Sequence, residues 1–198
     1  MWIKKLINEV TTNVTHFFRD IKQLKRFEKS VLPLVLKNSS PGPLRILSAG
    51  CSTGEEVYSL AMLISPYIPE LSRKHLFIRG VDISARAVEK ARLGIYKKEE
   101  IEKVPLQYRN LFFHRESEKV LVKNKLKRVV EFKVANLLAD DLSGKYDIIF
   151  CRNVVIYFDK DTKEFVYKKF CSHLKNTGFI LVGHSEGLIN KEQFKYFS

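Results

Sequence analysis

Leu44-Arg45-Ile46-Leu47-Ser48-Ala49-Gly50-Cys51-Ser52-Thr53-Gly54-Glu55-Glu56-Val57-Tyr58-Ser59-Leu60-Ala61-Met62 decides how the rest of the chain is read. Leu44, Ile46 and Leu47 make a short apolar run of the length expected of a buried strand. The chain then turns through Gly50-Cys51-Ser52-Thr53-Gly54. Beyond the turn, Val57, Leu60, Ala61 and Ile64 fall at i, i+3, i+4 and i+7, on one face of a helix. A strand, a small-residue turn and a helix N-terminus leave backbone N–H groups where a ligand can lie.

Working outward, the alternation repeats. Leu76-Phe77-Ile78-Arg79-Gly80-Val81 reads as a strand ending at Asp82, and Ala85 to Arg92 as a helix. Val130 to Val134 leads into Ala135-Asn136-Leu137-Leu138, and Tyr146 to Cys151 is another buried run. A helix is predicted from Asp161 to Leu174, with Asn176-Thr177-Gly178 as its C-terminal cap. Phe179 to Gly183 is the next strand, and one more is expected around Phe194–Phe197. Strands alternating with helices predict an α/β fold with a mostly parallel sheet flanked by helices. Residues 97–130 break the pattern with Pro105, an aromatic cluster (Tyr108, Phe112, Phe113) and Val120-Leu121-Val122, which predicts a small inserted β element.

Upstream, Met1 to Asn38 reads as helical and basic, with Ile3, Leu6, Ile7 and Val10 as an apolar stripe. Thr11-Thr12-Asn13 interrupts it, and a second helix is expected from Thr15 towards Leu36, kinked or broken at Pro33. Asn38-Ser39-Ser40-Pro41-Gly42-Pro43 reads as a linker. The expected division is therefore a short basic helical segment and arm over 1–40 and a main domain over 41–198.

Composition narrows the class. A chain of 198 residues with 45% apolar and 29% charged side chains is an ordinary folded domain. Its formal net charge of +13 predicts acidic partners, although a Lys-rich surface also serves solubility. Cys51, Cys151 and Cys171 are odd in number and widely spaced, which argues against a disulfide framework and against a metal site. No run reaches the ~18 apolar residues of a membrane span and no signal-peptide core follows Met1, so a soluble, cytoplasmic protein without membrane insertion is expected.

In such a sheet the ligand lies beyond the carboxyl ends of the strands. Those ends carry Ala49 to Gly54, Asp82, Asn136 and Leu137, Arg152 and Asn153, and Gly183 to Glu186. Asp82 suits a ribose diol, because a carboxylate accepts from both hydroxyls; an Asp at a strand end is also a common cap. The turn is neither the G-x-G-x-x-G of dinucleotide sites nor a P-loop. Glu55 and Glu56 would repel a pyrophosphate and favour a cationic ligand, although an acidic residue there also complements the helix dipole. S-adenosylmethionine has a sulfonium, an ammonium and a ribose but no phosphate, so the charges point to a methyltransferase.

Five blocks in order then resemble the CheR family, the methyltransferases of bacterial chemotaxis receptors. They are Thr11-Thr12-Asn13-Val14-Thr15-His16-Phe17-Phe18-Arg19, Ala49 to Ala61, Glu89 to Tyr96, Ile148 to Phe158, and Val182-Gly183-His184-Ser185-Glu186. The resemblance implies a class I S-adenosylmethionine-dependent methyltransferase with a Rossmann-like fold. It implies transfer of the cofactor's methyl group to receptor glutamates, giving methyl esters and S-adenosylhomocysteine. By position it implies that Asn13, Thr15 and Arg19 lie over the cofactor, with Arg19 near the methyl group. Gly50 would contact the methionine part, Glu56 its ammonium and Asp82 the ribose, while Asn136 and Leu137 flank the adenine. Arg152 and Asn153 would border the reaction site, and Tyr157 would face Arg19 across it as the second catalytic residue.

The chain departs from the family pattern in places. Only about ten residues precede Thr11 where the family usually carries a fuller basic helical domain. Ser48 stands where many methyltransferases place an acidic residue. The stretch from His114 to Lys119 is shorter than in members that bind a receptor-tail pentapeptide, which implies no such tether. The implied partner is the acidic helical surface of the chemoreceptor cytoplasmic domain. One alternative is a CheR-like module that binds the cofactor without turnover. Another is a nucleic-acid methyltransferase; against it, Cys151-Arg152-Asn153-Val154 lacks the Asn/Asp-Pro-Pro-aromatic motif of nucleobase amino methylation, and no nucleic acid is expected as partner.

Overall fold

Why the strands pair as they do follows from their side chains. In a computed structural model, which describes residues 15–38, 41–183 and 186, strand β1 (Leu44–Ala49) is apolar on both faces and takes the centre of the sheet. It pairs in parallel with β2 (Leu76–Asp82) on one side and with β7 (Tyr146–Cys151) on the other. Beyond β2 lies β6 (Val130–Val134), and beyond β7 lies β8 (Leu174–Val182), giving the order β6-β2-β1-β7-β8 with every pairing parallel.

Both faces are covered. On one side lie α1 (Ile21–Arg26), α2 (Leu32–Asn38), α3 (Glu55–Ile64) and α4 (Ala85–Leu93). Leu24, Phe27, Leu32, Val57, Leu60 and Val88 join Ile46, Ile78, Ile148 and Phe150 of the sheet in one buried cluster. On the other side α7 (Lys160–His173) presents Val166, Tyr167 and Phe170 to Leu47, Ile149 and Cys151. Where this second face runs past α7, the guanidiniums of Arg45, Arg73 and Arg79 stack within 4.7–5.3 Å of the Phe77 ring, so charged groups cover apolar surface.

The insertion is a small three-stranded antiparallel sheet. It consists of β3 (Ile95–Lys97), β4 (Phe113–Glu116) and β5 (Lys119–Val122), ordered β3-β5-β4, with helices α5 (Leu106–Phe112) and α6 (Asn124–Lys127) beside it. Only Ser117 and Glu118 join β4 to β5, and Ser117 takes the positive φ that such a tight hairpin turn demands.

Three boundaries differ from expectation. The helix expected from Thr15 starts at Ile21, because residues 17–20 form a turn in which Phe18 and Asp20 both have φ of 54°. Its path through Pro33 stays helical: a π turn (Phe27–Val31) precedes the proline, and the wider spacing relieves the i→i−4 bond that Pro33 cannot make. Asn176-Thr177-Gly178 do not cap α7. That helix ends at His173, and the pairing of β8 with β7 jumps from Leu174 opposite Tyr146 to Phe179 opposite Ile148, so these residues form a bulge inside the strand region. The strand expected around Phe194–Phe197 lies outside the described residues.

Candidate active site

Strand order reverses between β1 and β7: from β1 the chain steps outward to β2 and β6, then returns to the opposite side. The crevice beyond the carboxyl ends of β1 and β7 is thus the switch point where such sheets hold ligands. The turn after β1 is tied to the neighbouring strand, since the N–H groups of Gly50 and Cys51 both donate to the Val81 carbonyl, at 2.8 and 2.9 Å. Gly50 has φ of +79°, and a Cβ there would lie 2.2 Å from Val154 Cγ2, so both conformation and space demand glycine.

Asp82 organises the next step. Its Oδ2 accepts the N–H of Ser52 at 2.8 Å and its Oδ1 accepts the N–H of Ser84 at 2.9 Å. Ser52 sits at φ of 48°, a conformation this carboxylate helps to hold. Burial pushes the Asp82 pKa up, and the backbone donors at Ser84 and Ser52 pull it back. A carboxylate has about four acceptor positions, so Asp82 can accept a further donor beside these backbone groups.

The two glutamates that open α3 part company. Glu55 is buried against its own turn: the Thr53 hydroxyl donates to it at 2.7–2.8 Å, and Tyr96 closes the same turn by donating to the Thr53 carbonyl at 2.7 Å. Glu56 faces the crevice, where the Ser48 hydroxyl donates to Oε1 at 2.9 Å and Arg152 Nη1 approaches Oε2 at 3.3 Å. Burial raises the Glu56 pKa, while Arg152 and Ser48 oppose the rise. Ser48, which stands where many methyltransferases place an acidic residue, is the residue that aims Glu56.

Arg152 follows β7 and its side chain is 2% exposed. Nη2 donates to the Asp20 carboxylate at 2.6 Å and to the Arg19 carbonyl at 3.0 Å, so one guanidinium joins the arm to Glu56. The arm is seated by its aromatic pair. Phe17 meets Tyr96 and Phe113 edge-on, Phe18 stacks on Tyr108, and the Phe18 N–H donates to the Ser59 hydroxyl at 2.9 Å. Thr15 and Arg19 lie half-buried on either side of that pair.

The loop after β7 closes on Glu186. Oε2 of Glu186 accepts the N–H groups of Asn153 and Gly183, both at 2.8 Å; Oε1 accepts those of Val154 and Val155, at 2.7 and 3.1 Å. Asn153 has φ of 60°, which turns successive N–H groups towards one point. At the end of β6, Asn136 Oδ1 accepts the Leu138 N–H at 2.9 Å, which makes a tight turn, and Leu137 is buried with its carbonyl held by Lys169 at 3.0 Å. Tyr157, in a 3-10 turn (Val155–Tyr157), is 70% exposed. Cys51 and Cys151 are wholly buried thiols whose pKa values burial pushes well above the ordinary range, so they pack and do not act as nucleophiles.

Comparison with known proteins decides the family. The family described as CheR methyltransferase, SAM binding domain, matches residues 13–198. The chain belongs to the CheR methyltransferase family. A chemotaxis protein methyltransferase of Borreliella burgdorferi is 37% identical over 97% of this chain and 70% of its own length. One of Listeria monocytogenes is 33% identical over 97% of this chain and 72% of its own. Among solved structures, DszA carbon methyltransferase superposes with a TM-score of 0.52 at 17% identity, covering 80% of this chain and 34% of that one, a likeness of fold. The fold is that of class I S-adenosylmethionine-dependent methyltransferases, and the protein is a methyltransferase that uses this cofactor.

Of the residues singled out from sequence, Gly50, Glu56, Asp82, Arg152 and Asn153 come together around the β1/β7 crevice, and Thr15 and Arg19 lie on the arm that Arg152 ties to it. Asn136 and Leu137 stand one strand further out, beyond β2, and Tyr157 lies exposed in the 3-10 turn that follows β7. Asn13 lies outside the described residues. Ser48, Asp20 and Glu186 were not singled out as site residues. Glu186 stood among the strand-end residues, but nothing in its spacing says that four backbone donors converge on it. Among the described residues no helix is long and apolar enough to cross a membrane.

Proposed function

We propose that this enzyme transfers the methyl group of S-adenosylmethionine to glutamate side chains of chemoreceptor proteins, leaving glutamate methyl esters. The observation that carries this reading is the pair of carboxylates, half-buried Glu56 and buried Asp82, flanking a glycine turn at the switch point. That acceptor set fits an ammonium and a ribose diol and disfavours a pyrophosphate. The relatives named chemotaxis protein methyltransferases supply the acceptor class, and the net charge of +13 suits an acidic receptor helix as partner. In this reading the catalytic domain spans 41–198 with the 1–40 segment as its arm, and the protein works in the cytoplasm.

When bound, the cofactor supplies a sulfonium-activated methyl group, which an acceptor carboxylate oxygen takes while the S–C bonding pair returns to sulfur. The acceptor glutamate is already ionised at neutral pH, so the protein needs no general base. Its work is placement. Glu56 holds the ammonium on the lone pairs that Ser48 and Arg152 leave open, Gly50 lets the methionine part lie against backbone, and Asp82 receives the ribose hydroxyls. Asn136 and Leu137 flank the adenine, and Asn13 and Thr15 cover the cofactor from the arm. Arg19 orients the incoming carboxylate, Arg152 and Asn153 border it, and Tyr157 on its open loop meets it from the opposite side.

Labelled methyl groups offered with receptor cytoplasmic fragments test this. Base-labile label on receptor glutamates is the expected result; label found on nucleic acid and absent from receptor overturns it. Arg19→Ala is expected to lower turnover by about 100-fold while S-adenosylhomocysteine still binds. Undiminished transfer by that variant removes Arg19 from its assigned role.

A further inference from the structure

We infer that Glu186 is a positioning residue for the transfer reaction: its carboxylate sets the loop that follows β7, and through that loop Asn153 and Tyr157, on the acceptor side of the site. The inference rests on the reaction proposed above and adds a residue that touches neither cofactor nor acceptor.

The geometry is specific to a carboxylate. Each of the two oxygens takes two backbone N–H groups, Gly183 and Asn153 on one, Val154 and Val155 on the other, at 2.7–3.1 Å. Four donors aimed at one point make a nest that needs negative charge, and no neutral side chain offers four acceptor positions there. Glu186 is 3% exposed, so water does not stand in for its carboxylate. Gly183 leaves the room: a Cβ at that position would lie 2.6 Å from Glu186 Oε2.

What the nest holds is the acceptor side of the crevice. Asn153, with its positive φ, is the first residue held, and Val154 and Val155 are the next two. Val154 packs where a Gly50 Cβ would be, which couples the loop to the turn after β1, and Val155 opens the 3-10 turn that carries Tyr157. Without the carboxylate, three successive N–H groups and that of Gly183 lose their acceptor, and the loop is free to rearrange. Gly50 to Asp82 keep their own bonds, so cofactor affinity is expected to hold while turnover falls.

Glu186→Gln and Glu186→Ala in the full chain test this, with kcat, KM for receptor fragment, S-adenosylhomocysteine affinity and thermal midpoint measured together. Gln puts an amide donor among the N–H groups and is expected to lower kcat by about 10- to 100-fold, with cofactor affinity within about threefold. Ala empties the nest, and added acetate or formate is expected to restore about tenfold of its lost turnover by occupying the vacated place. A merely structural glutamate gives no such rescue. Unchanged kcat in both variants, or kcat and cofactor affinity falling together without rescue, overturns the inference. Should the unaltered protein label no receptor, the proposed function fails on its own account. Amide exchange at 153–155 then decides the nest: faster exchange in Glu186→Ala upholds it and unchanged exchange removes it.

Discussion

On the β1–β2 side, the site is made of backbone turned back on itself; on the β7–β8 side, it is made of side chains that reach across the fold. Asp82 holds Ser52 and Ser84, Gly50 and Cys51 hold Val81, and Ser48 aims Glu56 from one turn away. Opposite them, Arg152 reaches Asp20 and Arg19 more than 130 positions upstream, and Glu186 returns to gather the loop after β7. The first half is rigid by local geometry. The second is held by contacts with the arm and with Glu186. A pocket for a small, constant cofactor suits the first construction. A surface that must admit and release a protein side chain suits the second, because its closure depends on pieces that can part.

The two halves meet at Arg152. Arg152→Met removes the cation paired with Glu56 and the tie to the arm, and leaves a largely desolvated carboxylate without its ion-pair partner. A loss of about 3 kcal/mol in urea unfolding is expected; a loss below about 1 kcal/mol would mean that the arm is held by Phe17 and Phe18 alone. Gly50→Ala strikes the same seam from the other side. Its Cβ would overlap Val154, and its φ of +79° strains any L-residue, so about 2 kcal/mol of stability and most cofactor affinity are expected to go. If stability falls and cofactor binding persists, the turn after β1 is not where the cofactor lies.

This division also explains what was legible in the sequence. The β1 turn could be read because its meaning is local: small residues, a strand before, a helix after, and two acids whose charge excludes phosphate. Charge alone did not separate the two acids; the family resemblance pointed to Glu56. Glu55 and Glu56 are adjacent and identical, and only the helix phase sends one to Thr53 and the other to Ser48 and Arg152. Arg152 was read as bordering the reaction, but its guanidinium spans Glu56 and Asp20, a relation no spacing encodes. The arm was read as helix from Thr15 because the capping-type Thr11-Thr12-Asn13 precedes it; tertiary packing of Phe17 and Phe18 against Tyr96, Phe113 and Tyr108 holds them in a turn. The same holds at Asn176-Thr177-Gly178, where capping-type residues serve a bulge.

Asp82→Asn sharpens the local half. The amide keeps one acceptor for Ser52 or Ser84 and loses the charge, so S-adenosylhomocysteine affinity is expected to fall by about 10- to 100-fold while the arm stays seated. Calorimetric titration reads the first and exchange of the Phe18 amide reads the second. Loss of both together would join what the comparison separates.

The smallest effect expected is also the most discriminating, because it has a sign. Burial raises the pKa of both Glu56 and Asp82 in the free protein. A raised folded-state pKa means that the folded chain holds the proton more tightly than the unfolded one. Stability from these two groups is therefore present below the unfolded values and declines as pH rises through the folded ones. Cofactor affinity runs the other way: an ammonium on Glu56 requires the ionised carboxylate, so binding expels protons and weakens as pH falls from neutral into the raised carboxylate range. A few-fold loss of affinity is expected, with proton release visible in titrations run in buffers of different ionisation enthalpy. Arg152 is the charge that most opposes the rise at Glu56, so in Arg152→Met the affinity loss is expected to begin at higher pH. An affinity independent of pH in both proteins would mean that no ammonium reaches Glu56 and would undo the division of labour between the two glutamates.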